Sequence, residues 1–149
     1  MNIVSSIEIN SPRADVWAAI TDISQWQTMI DGILDLNVIH QPAEGLIGLK
    51  WAETRQVFGK ESTETMWITQ AKEQEYYCTR AENCGAIYTT RISLDEVAGN
   101  TQLTMSFQGS ADGMVMKCMT AIMGFFIKKS MLKLIEKDLQ DIKAFVEQS

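Results

Sequence analysis

The sequence holds a single histidine, His40, and only three cysteines, Cys78, Cys84 and Cys118. A lone histidine excludes histidine-rich metal sites, and no group of Cys, His, Asp and Glu has ligand spacing. Neither a metal nor another cofactor is therefore expected. Three cysteines make no even framework and no Cys-x-x-Cys motif, so free thiols in a reducing cytoplasm are the plain expectation. Basic residues are also short: 13 Lys and Arg stand against 19 Asp and Glu, a net charge of −6. No basic cluster exceeds Lys128-Lys129, which argues against nucleic acid as a partner. The longest apolar stretch, Met114 to Ile127, is interrupted by Lys117 and is too short to span a membrane. No signal peptide is expected, because Met1 leads directly into a strand-like Ile3-Val4-Ser5-Ser6-Ile7. Repeats, low-complexity segments and a second domain are missing too. Residues 1–149 read as one domain, long enough for a real core.

Proline is confined to Pro12 and Pro42, and the run from Gly113 to Ser149 has none. That run carries two kinds of amphipathicity. From Met131 onward Leu132, Ile135, Leu139, Ile142 and Val146 recur at steps of three and four, one stripe down a helix. Lys133, Glu136, Lys137, Gln140 and Lys143 take the opposite faces. The half before it is apolar around its circumference, with four methionines, Val115, Ile122, Phe125, Phe126 and Ile127. A helix apolar all round needs cover on more than one side. About 36 helical residues span about 54 Å unless Gly124 bends them. A rod of that length is expected to lie across a sheet that wraps it.

Ahead of it, Ile3 to Asn10 alternates as a strand. Ser11-Pro12 then opens a helix, serine as N-cap and proline at the first helical position, with Val16, Trp17 and Ile20 facing inward. Asp22 and Ser24 restart the chain into a second short helix holding Trp26, Met29 and Ile30, ended by Asp31-Gly32. Six strand-length segments follow: Ile33 to His40, Leu49 to Phe58, Glu61 to Gln70, Tyr76 to Glu82, Ala86 to Glu96 and Thr101 to Ser110. Gly59-Lys60 suits a two-residue type II′ hairpin, and Gly99-Asn100 marks another turn. Such short connections predict an antiparallel sheet of sequence neighbours.

The order of elements and the motifs carrying it resemble the START-like superfamily, also called SRPBCC or the birch-pollen-allergen fold. The opening S-I-E-I-N-S-P-R-A-D-V-W-A-A-I-T-D is similar to that family's strand-to-helix passage, with Trp26 at the usual spacing. G-L-K-W-A-E-T-R-Q-V-F-G-K-E-S-T-E and the tail K-D-L-Q-D-I-K-A-F-V-E resemble a bacterial branch described as polyketide cyclase/dehydrase or lipid transport. The resemblance implies an α+β helix-grip fold. A curved antiparallel sheet of about seven strands wraps a long C-terminal helix, two short helices follow strand 1, and a cavity lies between sheet and helix. Gly45-Leu46-Ile47-Gly48 is too sparse for the glycine-rich loop of some relatives, so phosphate binding is not implied.

Strand alternation puts Trp51, Glu53, Arg55 and Val57 on one face with Ser62, Glu64, Met66 and Ile68. A turn centred on Gly59-Lys60 would set Arg55 opposite Glu64, Glu53 opposite Met66 and Trp51 opposite Ile68. The same parity at Gly99-Asn100 puts Tyr88, Thr90, Ile92 and Leu94 inward with Met105 and Phe107. Two carboxylates and one guanidinium among apolar groups read either as a mutually satisfied ion network or as a ligand anchor or acid–base site. Phe58 and Trp67 fall on the polar face, where the pattern does not account for them. His40, beside Gln41-Pro42, reads as a surface residue.

The expected function is binding or transport of a lipid-like or polyketide-like molecule. Its wall would comprise Trp51, Glu53, Arg55, Glu64, Met66, Tyr88, Thr90, Met105 and Phe107, with Met119, Met123 and Phe125 from the helix. The alternative is a cyclase or dehydratase, with Glu53 or Glu64 as general base and Arg55 or Tyr88 polarising a carbonyl. A third reading makes Met114 to Ile127 a docking surface or a homodimer contact.

Overall fold

The computed structural model describes residues 2–57, 59–83, 86–111 and 114–148; of these, the side chains of 57, 60, 83, 110–111 and 114–127 fall outside the description. Strand β1 (Asn2–Ile9) is followed by α1 (Arg13–Thr21), a 3₁₀ turn over Ile23–Gln25 and α2 (Trp26–Met29). Then come β2 (Ile33–His40), β3 (Lys50–Val57), β4 (Lys60–Lys72), β5 (Tyr76–Asn83), β6 (Ala86–Val97) and β7 (Asn100–Ala111). The last element, α3 (Met114–Glu147), is one continuous helix of 34 residues that includes Gly124.

The strands form a seven-stranded sheet in the order β1-β7-β6-β5-β4-β3-β2, antiparallel throughout. This is the α+β helix-grip arrangement that the family resemblance implies. From β2 to β7 each strand pairs with the next, as short connections dictate. By contrast, β1 and β2 sit at opposite edges, because α1 and α2 carry the chain across between them. Register breaks between Ile68 and Gln70 in β4, and twice along β2, add bulges that bend the sheet.

The helical stripe packs as its spacing requires. Ile135, Leu139, Ile142 and Val146 are buried and Leu132 is partly so, while Lys133, Glu136, Lys137 and Gln140 are exposed. From α1 come Val16, Ala19 and Ile20, and from α2 Trp26 and Met29. Trp17 is only half-buried, its ring edge-on to Tyr77 at 6.0 Å. Helix α1 starts one residue later than Ser11-Pro12 suggests. Pro12 holds the N-cap position without a side-chain cap, and its carbonyl accepts from the amides of Asp15 and Val16. The carbonyl of Ser11 instead accepts the Thr101 hydroxyl at 2.8 Å.

Both hairpins are shifted by two residues from the sequence expectation. Val57 pairs with Lys60, so Arg55 lies opposite Ser62, Glu53 opposite Glu64 and Trp51 opposite Met66. Likewise Val97 pairs with Asn100, setting Thr90 beside Phe107, Ile92 beside Met105 and Leu94 beside Leu103. The glycine takes the second central position of each turn rather than the first. Ala98 and Gly99 have φ of 52° and 87°, two consecutive positive values as a type I′ turn requires, and Gly59 has φ 79°. A slip of two preserves side-chain parity, so no residue changes face.

Candidate functional site

Between the concave face of the sheet and α3 lies a cavity of about 380 Å³. Trp51, Glu53, Arg55, Glu64, Met66, Tyr88, Thr90, Met105 and Phe107 all stand on its wall. They come from four strands, and the parity argument brought them together despite the wrong registers. Met119, Met123 and Phe125, and with them the apolar docking surface expected of Met114 to Ile127, lie outside the described side chains. His40 is exposed at the end of β2, and Cys78 is a half-buried free thiol.

The sheet supplies the floor in cross-strand rows. Met66 pairs with Ala81 and Ala81 with Tyr88; Ile68 pairs with Thr79, Thr79 with Thr90, and Thr90 with Phe107. The rings of Tyr88 and Phe107 stack at 5.8 Å. Ile20, Trp26, Met29 and Ile30, from the segment between β1 and β2, also line it. Sequence reading placed these four in the short helices as core and did not see that they also line a cavity. The indoles of Trp26 and Trp51 meet edge-to-face at 5.0 Å. Tyr77, 1% exposed, donates its hydroxyl to the Ile20 carbonyl at 2.9 Å, tying the sheet to α1. Burial, reinforced by the charge of Glu53, drives that phenol above its ordinary range. It therefore acts as a fixed donor.

The polar end is an ion network that the sequence reading found only in part. Arg55 Nε donates to Glu53 Oε2 at 2.6 Å, and Nη1 reaches Asp138 Oδ2 at 3.0 Å. The other oxygen of Glu53 accepts from Trp51 Nε1 at 3.3 Å. Glu53 and Arg55 are two apart on β3, hence on one face. Asp138 arrives from α3, so the network clamps the helix to the strand. Glu64, expected to lie opposite Arg55, stands opposite Glu53 instead. Burial opposes the charge on Arg55, but Glu53 and Asp138 outweigh it and hold the guanidinium above its ordinary value. For Asp138 the balance goes the other way: burial raises its pKa, and Arg55 reverses this only in part. A Cβ on Gly32 would come within 3.3 Å of Arg55 Nη1, so the absence of a side chain there makes room for the guanidinium.

Asp138 was missed although its position carries a signal. It lies three residues after Ile135 and four before Ile142, inside the buried stripe, and it is 7% exposed. A carboxylate at such a position needs a partner. Among the described residues, no group of His, Cys, Asp and Glu could hold a metal ion, and no helix is long and apolar enough to cross a membrane.

The family model described as "Polyketide cyclase / dehydrase and lipid transport" matches residues 1–147. A solved structure from Thermus thermophilus superposes with a TM-score of 0.84 at 11% identity, covering 99% of this chain and 98% of that one. A START superfamily protein from Mycobacterium smegmatis gives 0.81 at 13% identity, covering 99% and 97%. The di-domain ARO/CYC StfQ from the steffimycin biosynthetic pathway gives 0.82 at 8% identity, covering 99% of this chain but 51% of that one. No curated protein matches the sequence. At these identities the structures show a shared START-like fold.

Proposed function

We propose, from the premise that the chain belongs to the polyketide cyclase/dehydrase and lipid transport family, that it binds a hydrophobic small molecule between its sheet and its last helix. The observation that carries this reading is the cavity itself. Its volume of about 380 Å³ falls in the range of about 300–1,000 Å³ usual for small-molecule sites. Its wall is largely apolar and aromatic, with Met66, Met105, Phe107 and Ile135 among its residues, and Glu53, Arg55 and Asp138 on it are joined in one ion network. Such a wall suits a lipid-like or polyketide-like body. Glu53, a candidate general base in the enzyme reading, is engaged on both oxygens by Arg55 and Trp51. That arrangement favours an anchor over a proton carrier.

Titration with a neutral phenylnaphthylamine dye tests the reading. Binding should saturate, and Thr90→Phe, on the cavity wall, should weaken it about tenfold or more by filling space. Thr89→Phe, one residue away on the convex face, should leave it unchanged. Unsaturable binding in the wild type, or equal affinity in both variants, would remove the cavity as the binding site.

A further inference from the structure

Cross-strand hydroxyls elsewhere in this sheet bond to each other. Ser6 meets Thr104 at 2.9 Å on the β1–β7 pairing, and Thr54 meets Thr63 at 2.7 Å on β3–β4. Thr79 and Thr90 stand opposite each other in the same way on β5 and β6, and both are on the cavity wall. No bond joins their hydroxyls, and neither hydroxyl has a partner among the described residues. Thr79 is 4% exposed, one of four buried polar or charged residues among those described. The other three are satisfied, Glu53 and Asp138 by Arg55 and Thr101 by the Ser11 carbonyl. Along their row Thr79 and Thr90 are flanked by Ile68 and Phe107, so the two hydroxyls sit side by side between apolar groups. Valine has nearly the shape of threonine and suits a strand as well. It would also leave no polar atom in a covered site to satisfy. Two threonines here are therefore costly unless something in the cavity answers them.

We propose that Thr79 and Thr90 together hold a carbonyl oxygen of the ligand, an inference that rests on the cavity reading above. The pair offers two O–H donors on strands about 4.8 Å apart. A carbonyl oxygen has two lone pairs, and two O–H···O bonds of about 2.7 Å each span that separation. A hydrocarbon in the same place leaves both hydroxyls unanswered. A carboxylate there would be a buried charge to which neither threonine supplies a counter-ion.

Competition against the neutral dye with 2-acetylnaphthalene and 2-isopropenylnaphthalene isolates the carbonyl, since the two differ only in C=O against C=CH₂. The quantity read is the ratio of their competition constants, from which the dye's own affinity cancels. In Thr79→Val/Thr90→Val the ketone should lose about tenfold relative to the alkene, as for two hydrogen bonds. Either single variant should lose about threefold. Thr89→Val, on the convex face, should keep the wild-type ratio. A ratio unchanged in the double variant overturns the role of the pair while leaving the cavity reading intact. So does a ratio that falls as far in Thr89→Val, and so does failure of both compounds to displace a dye that binds saturably. A dye that never binds saturably removes the cavity reading, and this inference with it.

Discussion

The two faces of the β3–β4 ribbon meet the same physical problem from opposite sides. On the concave face Glu53 and Arg55 are largely covered beside the buried Trp51, and each charge is held by a partner within a few ångströms. On the convex face the ring of Trp67 lies among polar neighbours, with Lys50 Nζ 5.7 Å from its centroid and Arg80 its cross-strand partner on β5. Strand parity alone decides who faces where. Each misfit is then accommodated locally, the inner charges by counter-ions and the outer indole by a cation. The remedies differ in strength, because the inner ion network is more fully covered and less screened than the half-buried cation–π contact outside.

Removing the inner remedy should have the largest effect. Arg55→Met strands Glu53 and Asp138 together, and urea unfolding should show a loss of about 3–5 kcal/mol. A loss no larger than that of an exposed substitution would mean the network is open to water.

A smaller, pH-dependent effect is expected at Asp138. Its folded pKa lies above its unfolded value, chiefly through burial. A carboxyl shifted that way contributes stability that is fully present below the unfolded pKa and is lost as pH rises through the folded one. The wild type should therefore gain stability relative to Asp138→Asn as pH falls from neutral into the ordinary carboxyl range. Unfolding curves for both proteins across that window check the sign, and a difference that shrinks on acidification would contradict it.

The smallest effect belongs to the convex face. Lys50→Ala should change stability by no more than about 0.5–1 kcal/mol, as for a half-buried cation–π contact still open to solvent screening. A larger cost would erase the contrast between the faces.

Much of the fold was legible because alternation and helical spacing are robust to error. The boundaries of β2 agree with the sequence reading, and the inward set on β3, β4, β6 and β7 survived a wrong register. That error had a single cause at both hairpins: the glycine was placed first in the turn, whereas Ala98 itself adopts a positive φ ahead of Gly99. A non-glycine residue in that conformation leaves little trace in sequence. Arg55 was legible as an inward charge, but its partner on α3 was not, since nothing local ties Asp138 to a strand 83 residues away. Trp67 found its account only through Lys50 and Arg80, neighbours that register supplies and pattern does not.

The position of β1 carries a consequence for how the chain acquires its shape. Its neighbour in the sheet is β7, with Asn2 against Gln108 and Ile9 against Thr101. On the ribosome the first strand is made early and finds its partner only after a hundred or so further residues have emerged. Until then Ile3 and Ile9, 2% and 0% exposed in the finished protein, have no sheet to cover them. Closure over so long a loop is the kind of non-local event that slows folding. The last turns of α3 then fasten what β7 has gathered: Lys143 reaches the Glu8 carbonyl and Glu147 accepts the Asn10 amide, each at 2.8 Å. A strand synthesised well before its partner is thus among the last to be secured, by Lys143 and Glu147 of α3.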